Sequence, residues 1–510
     1  MEGTYILSCY DAKRWYTFAN CWLHQGKTEQ AIACYERSLK LQPNYIPGYY
    51  KLADLFKQQQ RHSQSLTMYQ RALDLGATEI WLPSHIETLI IERGDFADID
   101  QRFEQCMASR LHRNHQGFTN RSTSGAEKSL LLYTNCPGTY GAEQVNHLLM
   151  CNLLKQGYRI TCVQSFANHY LIDERKTLGI EHIWLKKDAH NFLYSLTNVL
   201  EVVQILELIQ PDLIIFADGE PTANLAANHV AMRLGIPFIK VIHCVNAGWA
   251  DRFSAYLPLL PDIYRAASTV ISVSQANLQL LRDRYHLPED IGQVVYNGRG
   301  KAYFAQRDQG AGLRIRQALG IPPSATVVLT TARLVTSKGH QHQLAAIKLL
   351  QKMPLWGSLY FVWAGSGPDE SMLKTQVDEL GISDYVKFVG ERSDVCALLD
   401  AADIFVLTSH FEGMPLSIME AMAKEVPVAA TSISGIPEAL GKTGKLLPDP
   451  TINPEETAMC LADAIETWAA NPSLRAKAAA ACKQRALELF QGVNMLESYF
   501  SIIKKSLTED

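Results

Sequence analysis

Glu412 and Glu420 stand with seven residues between them, in the stretch Phe411-Glu-Gly-Met-Pro-Leu-Ser-Ile-Met-Glu-Ala-Met422. A Gly and then a Pro lie between the two carboxylates. The apolar run Ala401–Ser409 just upstream reads as a buried strand. The order is therefore strand, tight turn, helix. Pro415 fits the first helical position, where its missing N–H costs nothing. The amides of Leu416 and Ser417 then face outward at a helix N-terminus, which attracts phosphate through unpaired donors and the helix dipole. Glu412 falls in the turn and Glu420 about one and a half turns into the helix. They do not share a helical face, so they would touch different parts of one ligand.

Other residues could join them. Arg333 and Lys338 lie in Ala332-Arg-Leu-Val-Thr-Ser-Lys-Gly, between a predicted strand and a helix. A planar Arg and a point-charge Lys at a strand's carboxyl end suit a diphosphate; plain surface charge is the competing reading. Gly138-Thr-Tyr-Gly141-Ala-Glu143 opens a helix after a strand, so backbone can approach a ligand there, or the turn only serves packing. Gly365-Ser-Gly367-Pro has the G-x-G pair, but Glu370 holds the third glycine position, which speaks against a nicotinamide cofactor. His243 ends an apolar strand and either faces a cleft, titrating near neutrality, or is structural.

The elements that must position these residues follow from the whole chain. At 510 residues several domains are expected. Apolar residues make up 47% and charged residues 20%, an ordinary globular balance. With 48 basic and 52 acidic residues, a nucleic-acid partner is not expected. The 11 Cys show no zinc spacing, so no metal site is expected, and a reduced, cytoplasmic setting fits. Neither a signal peptide nor a membrane span is expected.

Residues 1–108 carry an internal repeat. Trp15, Ala19, Trp22, Gly26, Ala31, Tyr35, Ser38 and Pro43 are followed thirty-four residues later by Tyr49, Ala53, Phe56, Gln60, Ser65, Tyr69, Ala72 and Ala77. A weaker third copy gives Gly94, Ile99, Phe103 and Cys106. This pattern resembles the tetratricopeptide repeat: antiparallel helix pairs that either cap the protein or bind a peptide or an acceptor protein. Residues 109–128 read as a polar, mildly basic linker, a solvated connector or a phosphate or membrane-surface patch. Residues 129–305 and 306–490 each alternate strands with helices, which implies two α/β domains with parallel sheets and ligands at the carboxyl ends of their strands. Residues 491–510 hold a last amphipathic helix, expected to pack across the domain junction.

In the second domain Arg333…Lys338, Gly365-Ser-Gly-Pro, Val389-Gly-Glu, Glu412-Gly-Met-Pro-Leu-Ser-Ile-Met-Glu420-Ala-Met-Ala and Ser434-Gly-Ile-Pro-Glu438 together resemble the family-four retaining glycosyltransferases of GT-B fold. Tyr296-Asn-Gly is similar to that family's Asn-Gly turn, and Gly141-Ala-Glu143 to its Gly-Gly-x-Glu turn. The resemblance covers about residues 129–490. It implies two Rossmann-like domains facing a cleft, the first for the acceptor and the second for a UDP- or GDP-linked sugar, and a retaining hexosyltransferase that needs no metal. By the same resemblance Arg333 and Lys338 hold the donor diphosphate, Glu420 binds the ribose hydroxyls, Glu412 contacts the donor sugar, and His243 lies near the reacting carbon. Backbone from Gly413 through Met414 and Pro415 to Leu416 cradles sugar and phosphate, Val389 and its neighbours line the base pocket, and Gly365 and Gly141 let backbone come close.

Three departures stand out. Tyr140 takes the place of the family's first Gly in the acceptor turn. Arg299-Gly300 follows Asn297-Gly298 where a small hydrophobe and an acid are usual, and Ser434-Gly435 replaces a Gly-Gly. The first touches the acceptor side; the other two read as structural. The implied acceptor is a glycan, a lipid or a protein, with the repeats recruiting it or another protein partner, and peripheral contact with the cytoplasmic face of a membrane is compatible with the linker. The rival readings are a repeat-based scaffold with a non-catalytic GT-B body, and a protein O-glycosyltransferase.

Overall fold

The computed structural model describes residues 12–77, 82, 86, 89, 97–111, 127–136, 138–187 and 192–508. Among the described residues the repeats form two complete helix pairs, Ala12–His24 with Thr28–Leu41 and Ile46–Gln58 with His62–Asp74. The small residues Ala19, Ala31, Ala53 and Ala72 are fully buried, which lets the helices approach closely. A polar link recurs thirty-four residues apart: Tyr35 donates to Asn20 and Tyr69 to Asp54. Gly94 lies outside the described residues. The rest of the third copy is in helix Ala97–Leu111, which runs into the segment read as linker. Its Ile99, Phe103 and Cys106 are buried, and they belong to the core of the first α/β domain. Asp100 and Glu104 on this helix pair with Arg233, and Asp100 also meets His229. Most of the expected linker, residues 112–126, lies outside the described residues.

The first α/β domain holds β1 (Ser129–Thr134), β2 (Arg159–Ser165), β3 (Glu181–Leu185), β4 (Leu213–Asp218), β5 (Phe238–Ile242), β6 (Thr269–Ser272) and β7 (Gln293–Val294). The second holds β8 (Thr326–Thr331), β9 (Leu359–Ala364), β10 (Val386–Gly390), β11 (Ile404–Leu407), β12 (Val428–Thr431) and β13 (Lys445–Leu447). Their orders are β3-β2-β1-β4-β5-β6-β7 and β10-β9-β8-β11-β12-β13, all pairs parallel. Each is a doubly wound sheet whose order reverses beside its first strand. The strands read from apolar runs are present. The edge strands β3, β7 and β13 were not foreseen: they are short and carry few β-branched apolar residues in a row, so they lack that signal.

Two helices not foreseen, Pro454–Ala470 and Pro472–Leu489, cover the second sheet domain. Helix Gly492–Ser506 then returns to the first. The N–H of Arg299 donates to the Phe490 carbonyl at 2.9 Å, and that of Gly492 to the Arg299 carbonyl at 2.8 Å. Met495, Tyr499 and Ile503 on this helix join a buried cluster with Leu149 and Leu153 of the first domain and Met419 and Met422 of the second.

Candidate active site

A cleft of about 940 Å³ lies between the carboxyl ends of the two sheets. Loops after β1, β4 and β5 form one wall; loops after β8, β9, β10 and β11 form the other. Open parallel sheets place their binding crevice there.

On the second-domain wall, Arg333 and Lys338 come from the loop after β8. That loop is held by backbone bonds to the Gly365 turn: the Leu334 N–H donates to the Ser366 carbonyl at 2.9 Å. A Cβ on Gly365 would lie 2.0 Å from the Ala332 carbonyl oxygen, and its φ is +147°. Gly365 is therefore obligatory for the placement of Arg333. Lys338 Nζ is 2.5 Å from Glu412 Oε1, which also accepts from the Ser409 hydroxyl at 2.7 Å. Gly413 follows in the turn, and a Cβ there would sit 1.8 Å from the His243 carbonyl oxygen of the opposite domain. The two walls thus meet at Gly413. Pro415 is one position earlier than expected: it is the N-cap, with φ −70° and ψ 121°, and the helix is Leu416–Ala423. Its extended ψ leaves Leu416 to start the helix. Among the described residues no side chain caps this end, and its first residues line the cleft.

Glu420 also lines the cleft, with only 8% of its side chain exposed. Its Oε1 is 2.7 Å from Arg299 Nη2. Burial pushes its carboxyl above the usual range, against the pull of Arg299 and a hydrogen bond with Tyr303. Val389 packs against the core and is not among the cleft-lining residues; Glu391, Arg392 and Ser393 just beyond it are.

On the first-domain wall, His243 follows β5, and its N–H donates to the Asp218 carbonyl at 2.9 Å. Neither ring nitrogen has a hydrogen-bond partner among the described residues. Burial lowers its pKa to about 4, so the ring is neutral at pH 7. The expectation of titration near neutrality fails because desolvation disfavours the imidazolium. Gly141 starts helix Gly141–Lys155 and approaches Leu416 across the cleft. Glu143 turns away from the cleft into a fully buried pair with Arg175 at 2.6 Å, its pKa raised to about 7 by burial.

Glu220 was not singled out from the sequence, and Asn297, Glu438 and Arg299 were named there only as parts of motifs or as a departure. Glu220, after β4, lines the cleft, and burial together with the Asp218 charge raises its pKa to about 7. Its carboxylate has no hydrogen bond or ion pair among the described residues. Asn297 donates to the Met414 carbonyl at 3.3 Å. Glu438 reaches across to accept the N–H of Gln275 at 2.8 Å and the Tyr296 hydroxyl at 2.6 Å. Arg299 was read as structural, yet it touches Glu420. The departure from the family's turn was the available signal. Among the described residues no group of three His, Cys, Asp or Glu could hold a metal ion, and no helix is long and apolar enough to cross a membrane.

A family model described as Glycosyltransferase Family 4 matches residues 139–299, and one described as Glycosyl transferases group 1 matches 313–485. A TPR repeat model matches 23–60. The putative colanic acid biosynthesis glycosyltransferase WcaL of Escherichia coli K12 is 33% identical over 219 residues, covering 41% of this chain and 51% of that protein. The putative teichuronic acid biosynthesis glycosyltransferase TuaC of Bacillus subtilis is 29% identical over 268 residues, covering 51% and 62%. The chain thus spans between half and two thirds of the length of these relatives. Among solved structures, Anabaena Alr3699/HepE in complex with UDP-glucose superimposes with a TM-score of 0.62 at 23% identity, covering 74% of this chain and 99% of that one. The pneumococcal O-GlcNAc transferase GtfA in complex with UDP and GlcNAc gives 0.58 at 12% identity, covering 76% and 100%. At these identities the superpositions speak for the fold. Two matched domains, the two facing parallel sheets and the helical repeats together place the chain in the GT-B glycosyltransferases of the family-four type, with an N-terminal tetratricopeptide repeat.

Proposed function

We propose that this protein transfers a hexosyl group from a nucleoside-diphosphate sugar to an acceptor hydroxyl, with retention of anomeric configuration and no metal requirement. The supporting observation is the convergence on one cleft of Arg333, Lys338, Glu412, Glu420 and the open helix end at Leu416, opposite a neutral His243. Arg333, Lys338 and the helix end offset the charge that develops on the departing diphosphate. Glu420 accepts the ribose hydroxyls. Glu412, released from Lys338, accepts sugar hydroxyls. His243, neutral and without partners, donates or accepts at the sugar near its anomeric carbon without placing a cation there.

In the transfer, the bond from the anomeric carbon to the diphosphate oxygen breaks. The bond to the acceptor oxygen forms on the same face, and the acceptor proton passes to the departing phosphate oxygen. Glu220, on the opposite wall, is placed to orient the acceptor hydroxyl. The repeats recruit or shape the acceptor, a role supported by their last described helix being rooted in the acceptor-side domain. HepE bound to UDP-glucose makes UDP-glucose the first donor to try.

A panel of UDP- and GDP-sugars, scored by thermal shift and by donor hydrolysis, tests the reading, and NMR of the product's anomeric carbon tests retention. Donor binding with no turnover on any acceptor would favour the scaffold reading; an inverted product would end the retaining one.

A further inference from the structure

Arg299 joins three parts of the molecule that donor binding must bring into register. Its backbone lies where the chain leaves the first domain: its N–H bonds to Phe490 and its carbonyl to Gly492, at the point where the last helix crosses back. Its side chain is 9% exposed. One guanidinium nitrogen, Nη2, is 2.7 Å from Glu420 Oε1 of the second domain and 2.8 Å from Gln144 Oε1 of the first. The Tyr303 ring lies 4.5 Å from the centre of the guanidinium. A planar, permanently charged fork held on both sides is a fixed support, and Glu420 has no other ion-pair partner among the described residues.

We propose that Arg299 is a positioning residue for the nucleotide: it holds the Glu420 carboxylate ionised and aimed at the ribose hydroxyls, and through Gln144 it couples that contact to the position of the first domain. The inference rests on the donor reading above and adds a residue to it. An ionised carboxylate accepts from two hydroxyls through both oxygens, whereas protonation turns one of those oxygens into a donor and weakens the pair of bonds. Burial alone favours the protonated form of Glu420, and the guanidinium opposes it. Among the described residues the titratable groups facing this carboxylate are Arg299 and Tyr303 from the inter-domain segment, Cys396 from helix Val395–Ala401, and Tyr170 across the cleft. None but Arg299 carries a positive charge.

The experiment is calorimetric titration of the full chain with UDP, GDP and 2′,3′-dideoxy-UDP between pH 5.5 and 8.5, for wild type, Arg299→Lys and Arg299→Ala. Arg299→Ala is expected to weaken UDP about tenfold at neutral pH and to move the acid limb of the affinity profile about one unit or more to higher pH. Dideoxy-UDP, which lacks the hydroxyls, is expected to bind wild type and Arg299→Ala alike. Arg299→Lys, which keeps the charge but loses the planar guanidinium that lies on the Tyr303 ring, is expected to fall between. A purely structural role would weaken both nucleotides equally and leave the limb in place, and that result overturns the inference. Wild type that binds neither UDP nor GDP overturns the donor reading and this inference together; nucleotide affinity unchanged by Arg299→Ala overturns this inference alone. Should Arg299→Ala fail to fold, the lysine variant and Gln144→Ala carry the test, the latter expected to shift the limb in the same direction by less; an unmoved limb in both is a negative result.

Discussion

The guanidinium of Arg333 lies over the ring of Tyr140, 4.8 Å from its centre, so that a side chain of the first-domain turn covers a cation of the second-domain wall of the cleft. The neighbouring Thr139 hydroxyl donates to Glu391 in the same direction across the cleft. Where the family has a glycine, this chain has an aromatic ring over Arg333, the arginine proposed to hold the diphosphate.

A cation–π contact at a half-exposed site contributes roughly 0.5–1 kcal/mol. Tyr140→Ala is therefore expected to raise the donor's KM about threefold by freeing Arg333 to swing. Tyr140→Phe keeps the ring and is expected to keep the wild-type value. Steady-state kinetics with saturating acceptor distinguishes the two, and equal behaviour of Phe and Ala would mean that the hydroxyl, not the ring, matters.

The fold was largely legible from periodicity, because buried parallel strands are near-continuous apolar runs. The turn at Glu412 and the cleft-lining positions of Arg333 and Lys338 were legible from residue type and spacing, since a helix end and a strand end fix their surroundings locally. What escaped was set by long-range packing. Nothing in the sequence around Phe103 says that its helix also covers an α/β domain. The pair Arg299–Glu420 spans 121 positions in the chain and exists only once the domains face each other. His243 was placed correctly at a strand end, but its charge state depends on neighbours that local sequence does not name.

Lys338→Ala is expected to lower turnover about 10²–10³-fold, the usual loss when one preorganised charge at a leaving group is removed. The Lys338–Glu412 pair is partly solvated, with side chains 20% and 10% exposed, so the melting temperature should change little. Glu412→Gln should also impair turnover, and the double variant should lose less than the sum because each single change strands the other partner. Turnover and thermal unfolding measured on the three variants decide this. Near-normal turnover in Lys338→Ala would remove the lysine from the phosphate site.

His243 is expected to stay neutral throughout the working range. Ring resonances in histidine-labelled protein should show one histidine that does not titrate between pH 8 and 5 and disappears in His243→Ala. Because the folded pKa, about 4, lies below the unfolded value of about 6.5, the unfolded chain takes up the proton first. The stability contributed by this neutral ring is full above pH 6.5 and is lost as pH falls toward 4. The difference in melting temperature between wild type and His243→Ala should therefore shift against wild type on acidification. A His243 resonance titrating near 6.5 would contradict both statements.

The repeats and the catalytic body should not separate at residue 108. Phe103 is 5% exposed and packs in the core of the first α/β domain, with the Arg233 guanidinium 4.9 Å from its ring centre. Truncating a buried Phe to Ala costs about 3–5 kcal/mol. Phe103→Ala should accordingly destabilise the glycosyltransferase body itself, which nucleotide-dependent thermal shift can follow, and not only the helices before it. A chain beginning at residue 97 keeps helix Ala97–Leu111 and should stay soluble and bind nucleotide. A chain beginning at residue 129 uncovers the surface that Ile99, Phe103 and Cys106 occupy and should aggregate or melt earlier. Equal melting temperatures for the two truncated chains would show that the helix only decorates the domain on which it lies.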